Sequence, residues 1–123
     1  MSRAVLIVED DADVAEALAL ILEDAGYVAE IARDGAEGLE RLRRAPPPAL
    51  ILLDLMMPNV NGCEFRREQL RMREAASLPV VILSADAHAA RKAAEMECSD
   101  VLTKPVALEP LLEVVQRFCG PSA

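Results

Sequence analysis

Five polar side chains that could take part in chemistry each stand at the end of a short apolar run. They are Glu9 and Asp10 after AVLIV, Asp54 after LILL, Ser84 at the end of PVVILS, and Lys104 after DVLT. Taken singly, each has an ordinary structural role, since acids and serines cap helices, aspartates occupy turns and lysines lie on surfaces. Their repeated position after successive apolar runs predicts one shared site.

Carboxylates gathered at one place repel one another, and each is pushed toward protonation unless a cation joins them. The acidic residues therefore predict a hard divalent ion with oxygen ligands. Mg²⁺ fits because it keeps several waters and leaves room for phosphate oxygens. Lys104 would add a second positive charge, and Ser84 a hydroxyl donor, for a phosphoryl group in transfer. A central carboxylate, Asp54, can act as the nucleophile and form an aspartyl phosphate.

Strand-like and helix-like segments alternate along the chain. The predicted strands are 4–8, 27–32, 50–53, 79–84 and 100–103. Five helices are predicted. The second, third and fourth are 34–44, 63–73 and 87–96. The first and fifth are indicated by apolar residues at helical spacing, which are Val14, Leu18, Ile21, Leu22 and Ala25 in the first and Leu108, Leu111, Leu112 and Val115 in the fifth. Asp11 or Asp13 can cap the first helix and Gly26 can end it. Because apolar strands need cover on both faces, we predict an α/β fold, a doubly wound parallel sheet with right-handed crossovers.

Composition narrows the class of protein. A chain of 123 residues with 53% hydrophobic residues fits one globular domain. Its net charge of −8 argues against nonspecific nucleic-acid binding, which needs a basic face. We expect no membrane insertion, no signal peptide and a cytoplasmic location, because no apolar run could span a bilayer and the N-terminus turns acidic early.

Cysteine and histidine offer no metal motif. The three cysteines, Cys63, Cys98 and Cys119, are far apart, with no CxxC and no Cys/His cluster, so we expect reduced thiols. A solitary histidine, His88, cannot build a metal site and is interpreted as an ordinary helix or loop residue.

The ordered motifs resemble those of the receiver domain of two-component response regulators. LIVEDD is similar to its acidic motif, LDLMMPNVNG to its phosphoacceptor loop, VVILSA to its hydroxyl motif and VLTKPV to its Lys-Pro motif. The resemblance covers residues 3 to 119 and places Pro58 and Gly62 at the family's spacing after Asp54. It implies a receiver-like, flavodoxin-like sheet of five strands in the order 2-1-3-4-5.

The resemblance implies a role for each acidic residue. Asp54 is similar to the phosphoacceptor and would also contact the metal, Mg²⁺ or Mn²⁺. Asp10 resembles the direct ligand, Glu9 would act through a metal-bound water, and the backbone carbonyl of Met56 would complete the protein ligands.

The resemblance also assigns the remaining site residues. Lys104 would pair with phosphoryl oxygens, and Ser84 would hydrogen-bond the phosphate and draw its loop inward. The peptide bond before Pro105 is expected to be cis. Gly62 is expected to serve the turn into the third helix.

Three departures from the family pattern bear on signalling. Val101 stands where an aromatic side chain usually switches position. Glu97 stands where a glycine usually ends the fourth helix, which predicts either an altered turn or a helix that runs on. The two positions that tune hydrolysis hold Met56 and Asp86. Because Met56 offers no side-chain hydrogen bond to an attacking water, we predict slow autodephosphorylation.

The expected function is that of a switch and not of a turnover enzyme. A sensor histidine kinase or histidine phosphotransfer protein would donate the phosphoryl group, and the output would be a protein contact near the fourth helix, fifth strand and fifth helix. That face could also form a homodimer and would include Arg91, Lys92 and Asp100. We expect residues 1–123 to form one receiver domain with no output domain, as in a stand-alone regulator or a phosphorelay intermediate. The receiver piece of a longer regulator remains an alternative.

Other classes fit less well. A phosphatase of the haloacid dehalogenase type needs a second aspartate where Met56 stands, and a flavin carrier needs a hydroxyl- and glycine-rich loop where EDDADV stands. A receiver-like module that binds partners without phosphorylation remains open because of Val101.

Overall fold

The computed structural model describes residues 4–55, 57, 61–85 and 88–121, and they form ten alternating elements. Strands β1 to β5 are Ala4–Val8, Val28–Ala32, Leu50–Asp54, Val80–Ser84 and Asp100–Thr103. Helices α1 to α5 are Ala12–Asp24, Gly35–Leu42, Gly62–Leu70, Ala89–Glu95 and Leu108–Cys119. The predicted alternation of strand and helix is confirmed. None of the helices in the described ranges is long and apolar enough to cross a bilayer.

All neighbouring strands pair in parallel, in the order β2-β1-β3-β4-β5. This confirms the predicted doubly wound sheet. The two central strands β3 and β4 are buried along their whole length. The edge strand β2 is different, since Val28 is 58% exposed and Ile31 is 36% exposed.

Alternating side chains of the sheet enter two separate cores. On one face, strand residues such as Ile7 and Leu52 pack against helices α1 and α5. On the other face, Leu6, Ile51 and Ile82 pack with residues of α2, α3 and α4. This period of two explains why the central strands read as continuous apolar runs in the sequence. It also leaves the strand ends as the place where polar side chains gather.

Helix α1 begins and ends at the residues that the sequence indicated. The side chain of Asp11 accepts hydrogen bonds from the backbone N–H groups of Asp13 (3.0 Å) and Val14 (3.2 Å), so Asp11 is the N-cap. Gly26 follows the last turn with a φ of 95°, a conformation that favours glycine. The chain therefore leaves β1 and enters α1 through an acidic turn.

Helix α3 is shorter than the predicted segment 63–73 and ends at Leu70. Gln69 explains the early stop, because its buried amide donates to the carbonyls of Ala75 (2.8 Å) and Leu78 (3.3 Å). Those bonds fold the following turn back against the helix. Amide contacts of this kind leave no periodic trace in a sequence.

Helix α4 does not run on past the position where the family usually has a glycine. Glu97 itself adopts a left-handed φ of 55°. Its N–H donates to the carbonyl of Ala94 (3.1 Å), and the N–H of Cys98 donates to that of Ala93 (2.8 Å). These two bonds form a Schellman motif, which normally has glycine at the left-handed position. The turn is therefore kept, with a backbone strain at Glu97.

Candidate functional site

The carboxyl ends of β1, β3, β4 and β5 meet at one edge of the sheet. Val8 is in register with Leu53, and Asp54 is in register with Leu83. The last residue of β4, Ser84, is in register with Thr103 at the end of β5. Glu9, Asp54, Ser84 and Lys104 therefore each stand at, or directly after, the end of a strand. The predicted convergence at this edge is confirmed for the residues that the structure describes.

Three carboxylates form a compact cluster at this edge. Glu9, Asp10 and Asp54 each offer a ligand oxygen, and these oxygens all lie within 4.8 Å of one another. Glu9 is 1% exposed and Asp54 is 4% exposed, whereas Asp10 is exposed to solvent. Glu9 is held in place through its backbone, since its N–H donates to the carbonyl of Ala32 at the end of β2 (3.0 Å). The cluster is thus buried on one side and open on the other.

Lys104 brings the only positive charge that the described part of the chain places within ion-pair distance of these carboxylates. Its Nζ lies 2.5 Å from Oε1 of Glu9 and 3.6 Å from Oδ1 of Asp54. Burial alone would lower the pKa of Lys104, but the Glu9 and Asp54 carboxylates outweigh it, and the pKa is raised. Lys104 is therefore held as an ammonium ion beside the predicted phosphoacceptor.

The two oxygens of the Glu9 carboxylate have different partners. Oε2 of Glu9 accepts a hydrogen bond from the N–H of Asp11 (3.3 Å). Oε1 of Glu9 is in ionic contact with Lys104 but accepts no well-directed hydrogen bond from any described residue. Three carboxylates against one ammonium also leave a net charge of −2. An oxygen-only donor set with this excess charge fits a divalent metal ion.

Backbone contacts fix the position of Lys104 and Ser84 relative to each other. The N–H of Lys104 donates to the carbonyl of Ser84 (2.9 Å), which continues the pairing of β5 with β4 beyond the strand end. Ser84 is 5% exposed and is therefore buried at the end of β4, beside Lys104. The Lys104–Pro105 peptide is cis, as the resemblance implied.

Gly62 serves the site by close approach. A Cβ at this position would lie 2.7 Å from Cα of Leu55 and 3.1 Å from the carbonyl oxygen of Asp54. The Gly62 N–H also donates to the carbonyl of Leu55 (3.2 Å). Helix α3 thus packs directly on the backbone that carries Asp54. The sequence had indicated a turn at this glycine and had not indicated this contact.

Two predicted site residues, Met56 and Asp86, lie outside the described residues, as does Pro58. Val101 is described and is half-buried against the core of the α2–α3–α4 face. It also lines a surface groove of about 370 Å³ that continues along Thr103, Pro105 and Val106. His88 stands at the start of α4.

Sequence reasoning also missed the close contact of Lys104 with Glu9. The resemblance implied a lysine that pairs with the phosphoryl group beside Asp54, whereas its nearest carboxylate is that of Glu9. The length of the glutamate side chain was the available signal, since it extends one methylene further than an aspartate from the same strand end.

Comparison with known proteins gives a consistent result. The family model described as the response regulator receiver domain matches residues 5–116. The response regulator MprA of Mycobacterium ulcerans is 41% identical over 114 residues, which cover 91% of this chain and 48% of MprA. The alkaline phosphatase synthesis transcriptional regulatory protein SphR of Synechococcus elongatus is 36% identical over 118 residues, which cover 88% of this chain and 45% of SphR. The chain thus spans about half the length of these curated relatives.

Solved structures show the same architecture. The chemotaxis protein CheY4 of Vibrio cholerae superposes with a TM-score of 0.87 at 28% identity, covering 96% of this chain and 99% of CheY4. A response regulator receiver protein from Pseudomonas putida superposes with a TM-score of 0.84 at 30% identity, covering 95% and 98% of the two chains.

Proposed function

Since the chain belongs to the response regulator receiver domain family, we propose that it is a phosphorylation switch whose phosphoacceptor is Asp54. The observation that carries this proposal is the placement of Asp54, which is 4% exposed, clustered with Glu9 and Asp10, and 3.6 Å from the Lys104 ammonium. We place its action in the cytoplasm, with a sensor histidine kinase or a histidine phosphotransfer protein as the donor.

The side chains divide the transfer step among them. An oxygen of the Asp54 carboxylate attacks the phosphorus, the O–P bond forms, and the P–N bond to the donor imidazole breaks. Lys104 supplies a positive charge next to the oxygens of the transferred group, because its raised pKa keeps it protonated. Ser84 supplies a hydroxyl that can donate a hydrogen bond to the same group. The product is an acyl phosphate on Asp54, and the donor histidine is released.

Glu9, Asp10, Asp54 and the backbone carbonyl of Met56 would hold Mg²⁺, or Mn²⁺ in its place. The three clustered carboxylates and their excess negative charge support this ligand set. When bound, the ion would offset the negative charge that builds up as two anionic groups approach. The role of Asp10 follows from its exposure, since it can bind an ion that keeps most of its waters.

Signal output is assigned to a protein contact on the face formed by α4, β5 and α5. The groove beside Val101 supports this choice, because Lys104 lines it together with apolar residues such as Val106. The same face would form a homodimer on phosphorylation. Asp100 and Arg117 already pair there within one chain (2.9 Å), so a dimer contact through these charges would have to share them. The domain would thus act as a switch and not as a turnover enzyme.

Slow loss of the phosphoryl group is part of the proposal. Met56 has no side-chain group that could orient an attacking water, so the acyl phosphate would persist well beyond seconds. Its lifetime is measured by intact mass after the phosphodonor is removed, and a lifetime of seconds would contradict this assignment.

The test of the switch chemistry is intact mass after incubation with acetyl phosphate, with Mg²⁺ or with excess chelator. We expect one added phosphoryl group on the wild type with Mg²⁺, and none with chelator or on Asp54→Ala. Asp24→Asn removes an exposed aspartate of α1 and is the matched control, expected to react like the wild type. No mass gain under any condition would refute phosphorylation of this domain and favour a module that binds partners without it.

A further inference from the structure

Two of the three cysteines and one methionine lie together where α3 meets the turn between α4 and β5. Sγ of Cys63, exposed near the start of α3, lies 3.7 Å from Sδ of Met96. Cys98 follows two residues later, with its Sγ 4.0 Å from the carbonyl oxygen of Met96. The third cysteine, Cys119, belongs to the opposite core with α1 and α5. The fold therefore brings the sulfurs of Cys63 and Met96 into contact and places Cys98 beside the backbone of Met96.

A buried cation lies at this seam, and no described residue supplies its counter-charge. Arg66 is 8% exposed, and its guanidinium donates to the carbonyls of Met96 (3.0 Å) and Glu97 (2.8 Å) and to Oε1 of Gln69 (2.8 Å). All three acceptors are neutral, and the described residues place no carboxylate within ion-pair distance of it. Burying a charge without an opposite one is costly. An anionic group at the seam would lower that cost.

The thiols and the guanidinium are close enough to influence one another. Burial raises the pKa of Cys98, Arg66 lowers it in part, and the neighbouring Cys63 raises it further. Cys63 also lines an open pocket of about 400 Å³ with Leu55, Met57, Asn61 and Lys92, so its side chain can be reached from solvent. The seam thus has soft donor atoms, a positive charge and an entrance.

We propose that Cys63, Met96 and Cys98 form a binding site for a soft monovalent cation of the Cu(I) class. Thiolate and thioether sulfurs select such ions over Mg²⁺. A metal–sulfur bond of about 2.3 Å sets trigonal ligands about 4 Å apart, close to the observed 3.7 Å between Cys63 and Met96. Structural zinc is a poorer match, because it takes four ligands and three sulfurs are present.

Charge balance favours the same ion. Each thiol releases its proton to solvent, and the two thiolates and the thioether each donate an electron pair to the ion without any change of oxidation state. Two thiolates and one monovalent cation leave a complex of charge −1. That charge is the counter-charge that Arg66 lacks. A divalent ion would leave the complex neutral and Arg66 still unpaired.

The test is an anaerobic titration of the reduced full chain with Cu(I), in competition with a coloured chelator such as bicinchoninate. We expect one Cu(I) per chain. Three variants should each weaken Cu(I) binding by at least roughly tenfold: Cys63→Ser, Cys98→Ser and Met96→Leu. Loss of a residue that only supports a metal ligand usually lowers affinity by about tenfold or more, so loss of a ligand itself should cost at least that much. Cys119→Ser is the matched control and should bind like the wild type.

Two results would overturn the proposal. Equal losses in Cys119→Ser and Cys63→Ser would indicate nonspecific thiol binding, and wild-type affinity in Cys63→Ser would exclude the seam. Should Cys98→Ser fail to fold by circular dichroism, the decision rests on Cys63→Ser, which changes an exposed atom, and on Met96→Leu, which keeps an apolar side chain of similar volume. Because the probe is Cu(I) binding itself, the outcome does not depend on phosphorylation of Asp54.

Discussion

Replacing Gly62 with alanine should damage both the stability of the domain and the placement of Asp54. The added Cβ would lie 2.7 Å from Cα of Leu55, against the 3.4 Å at which ordinary contact begins, so the two must separate by about 0.7 Å. Leu55 follows directly on β3, which is held between β1 and β4. Backbone in that position cannot move aside as the end of a flexible side chain can.

The expected cost follows from two opposing effects. Overpacking of this kind destabilises a fold by about 1–3 kcal/mol. Alanine in place of glycine recovers up to about 1 kcal/mol of helix propensity, and less than that in the first turn. We therefore expect Gly62→Ala to lower the free energy of unfolding by about 1–2 kcal/mol. A shift of the Asp54 carboxylate by several tenths of an ångström should also slow its phosphorylation by acetyl phosphate about tenfold or more.

Gly38→Ala is the matched control for this experiment. Its added Cβ would also meet an atom at 2.7 Å, but that atom is Cε2 of the Phe65 ring and the next is Cγ2 of Val8 (3.1 Å), so it meets side chains and not the backbone that carries Asp54. Urea unfolding should show a loss of stability in both variants, and initial rates of mass gain should fall only in Gly62→Ala. A Gly62→Ala protein with wild-type stability and rate would refute the reasoning. Equal losses of rate in both variants would assign the effect to general destabilisation.

Three further predictions concern single residues. Glu97→Gly should raise the free energy of unfolding by about 0.5–1 kcal/mol in urea titrations, because glycine adopts the left-handed φ of 55° without strain. The hydrogen bond from Arg66 would remain, since Arg66 donates to the backbone carbonyl of residue 97 and not to the Glu97 side chain. A destabilised variant would contradict the assigned strain. Asn61→Ala should lower the free energy of unfolding by about 1 kcal/mol in the same assay, since the Asn61 side chain caps α3 by accepting a hydrogen bond from the N–H of Glu64 (3.0 Å). An unchanged urea midpoint would show that the cap contributes nothing. Lys104→Met should be less stable than the wild type by an amount that stays constant from pH 7 to about 10.5, the unfolded-state pKa of lysine. The amount should shrink above that pH, because a raised folded-state pKa gives stability that is lost only as pH rises through it; a difference that fades between pH 7 and 10 would contradict the ion pairing.

The fold was predictable where local pattern and burial agree. Strands β1 and β5 have the predicted bounds, because apolar and β-branched residues there are flanked by charged residues or turns. The early end of α3 was not predictable, since it depends on Gln69 reaching the carbonyl of Ala75 in a turn that has no periodic pattern. Local pattern thus predicts the elements better than it predicts where they end.

The candidate site was likewise predictable only in part. Asp54, Ser84 and Lys104 were predictable because parallel strands end at one edge of the sheet, and a residue after each strand must lie there. The contact of Lys104 with Glu9 and the bonds of Arg66 to the α4–β5 turn depend on side-chain reach across separate elements. Such contacts form only when the elements pack together, so no role for Arg66, Cys63 or Cys98 could be predicted from the sequence.

The most direct test of the central claim is to locate the phosphoryl group. The protein is incubated with acetyl phosphate and Mg²⁺, the acyl phosphate is reduced with borohydride to an alcohol, and the modified residue is identified by tandem mass spectrometry. The account predicts homoserine at position 54 and unmodified carboxylates at Glu9 and Asp10. Modification at Glu9 or Asp10 with Asp54 unmodified would contradict it, because the buried carboxylate beside Lys104 would then not be the acceptor.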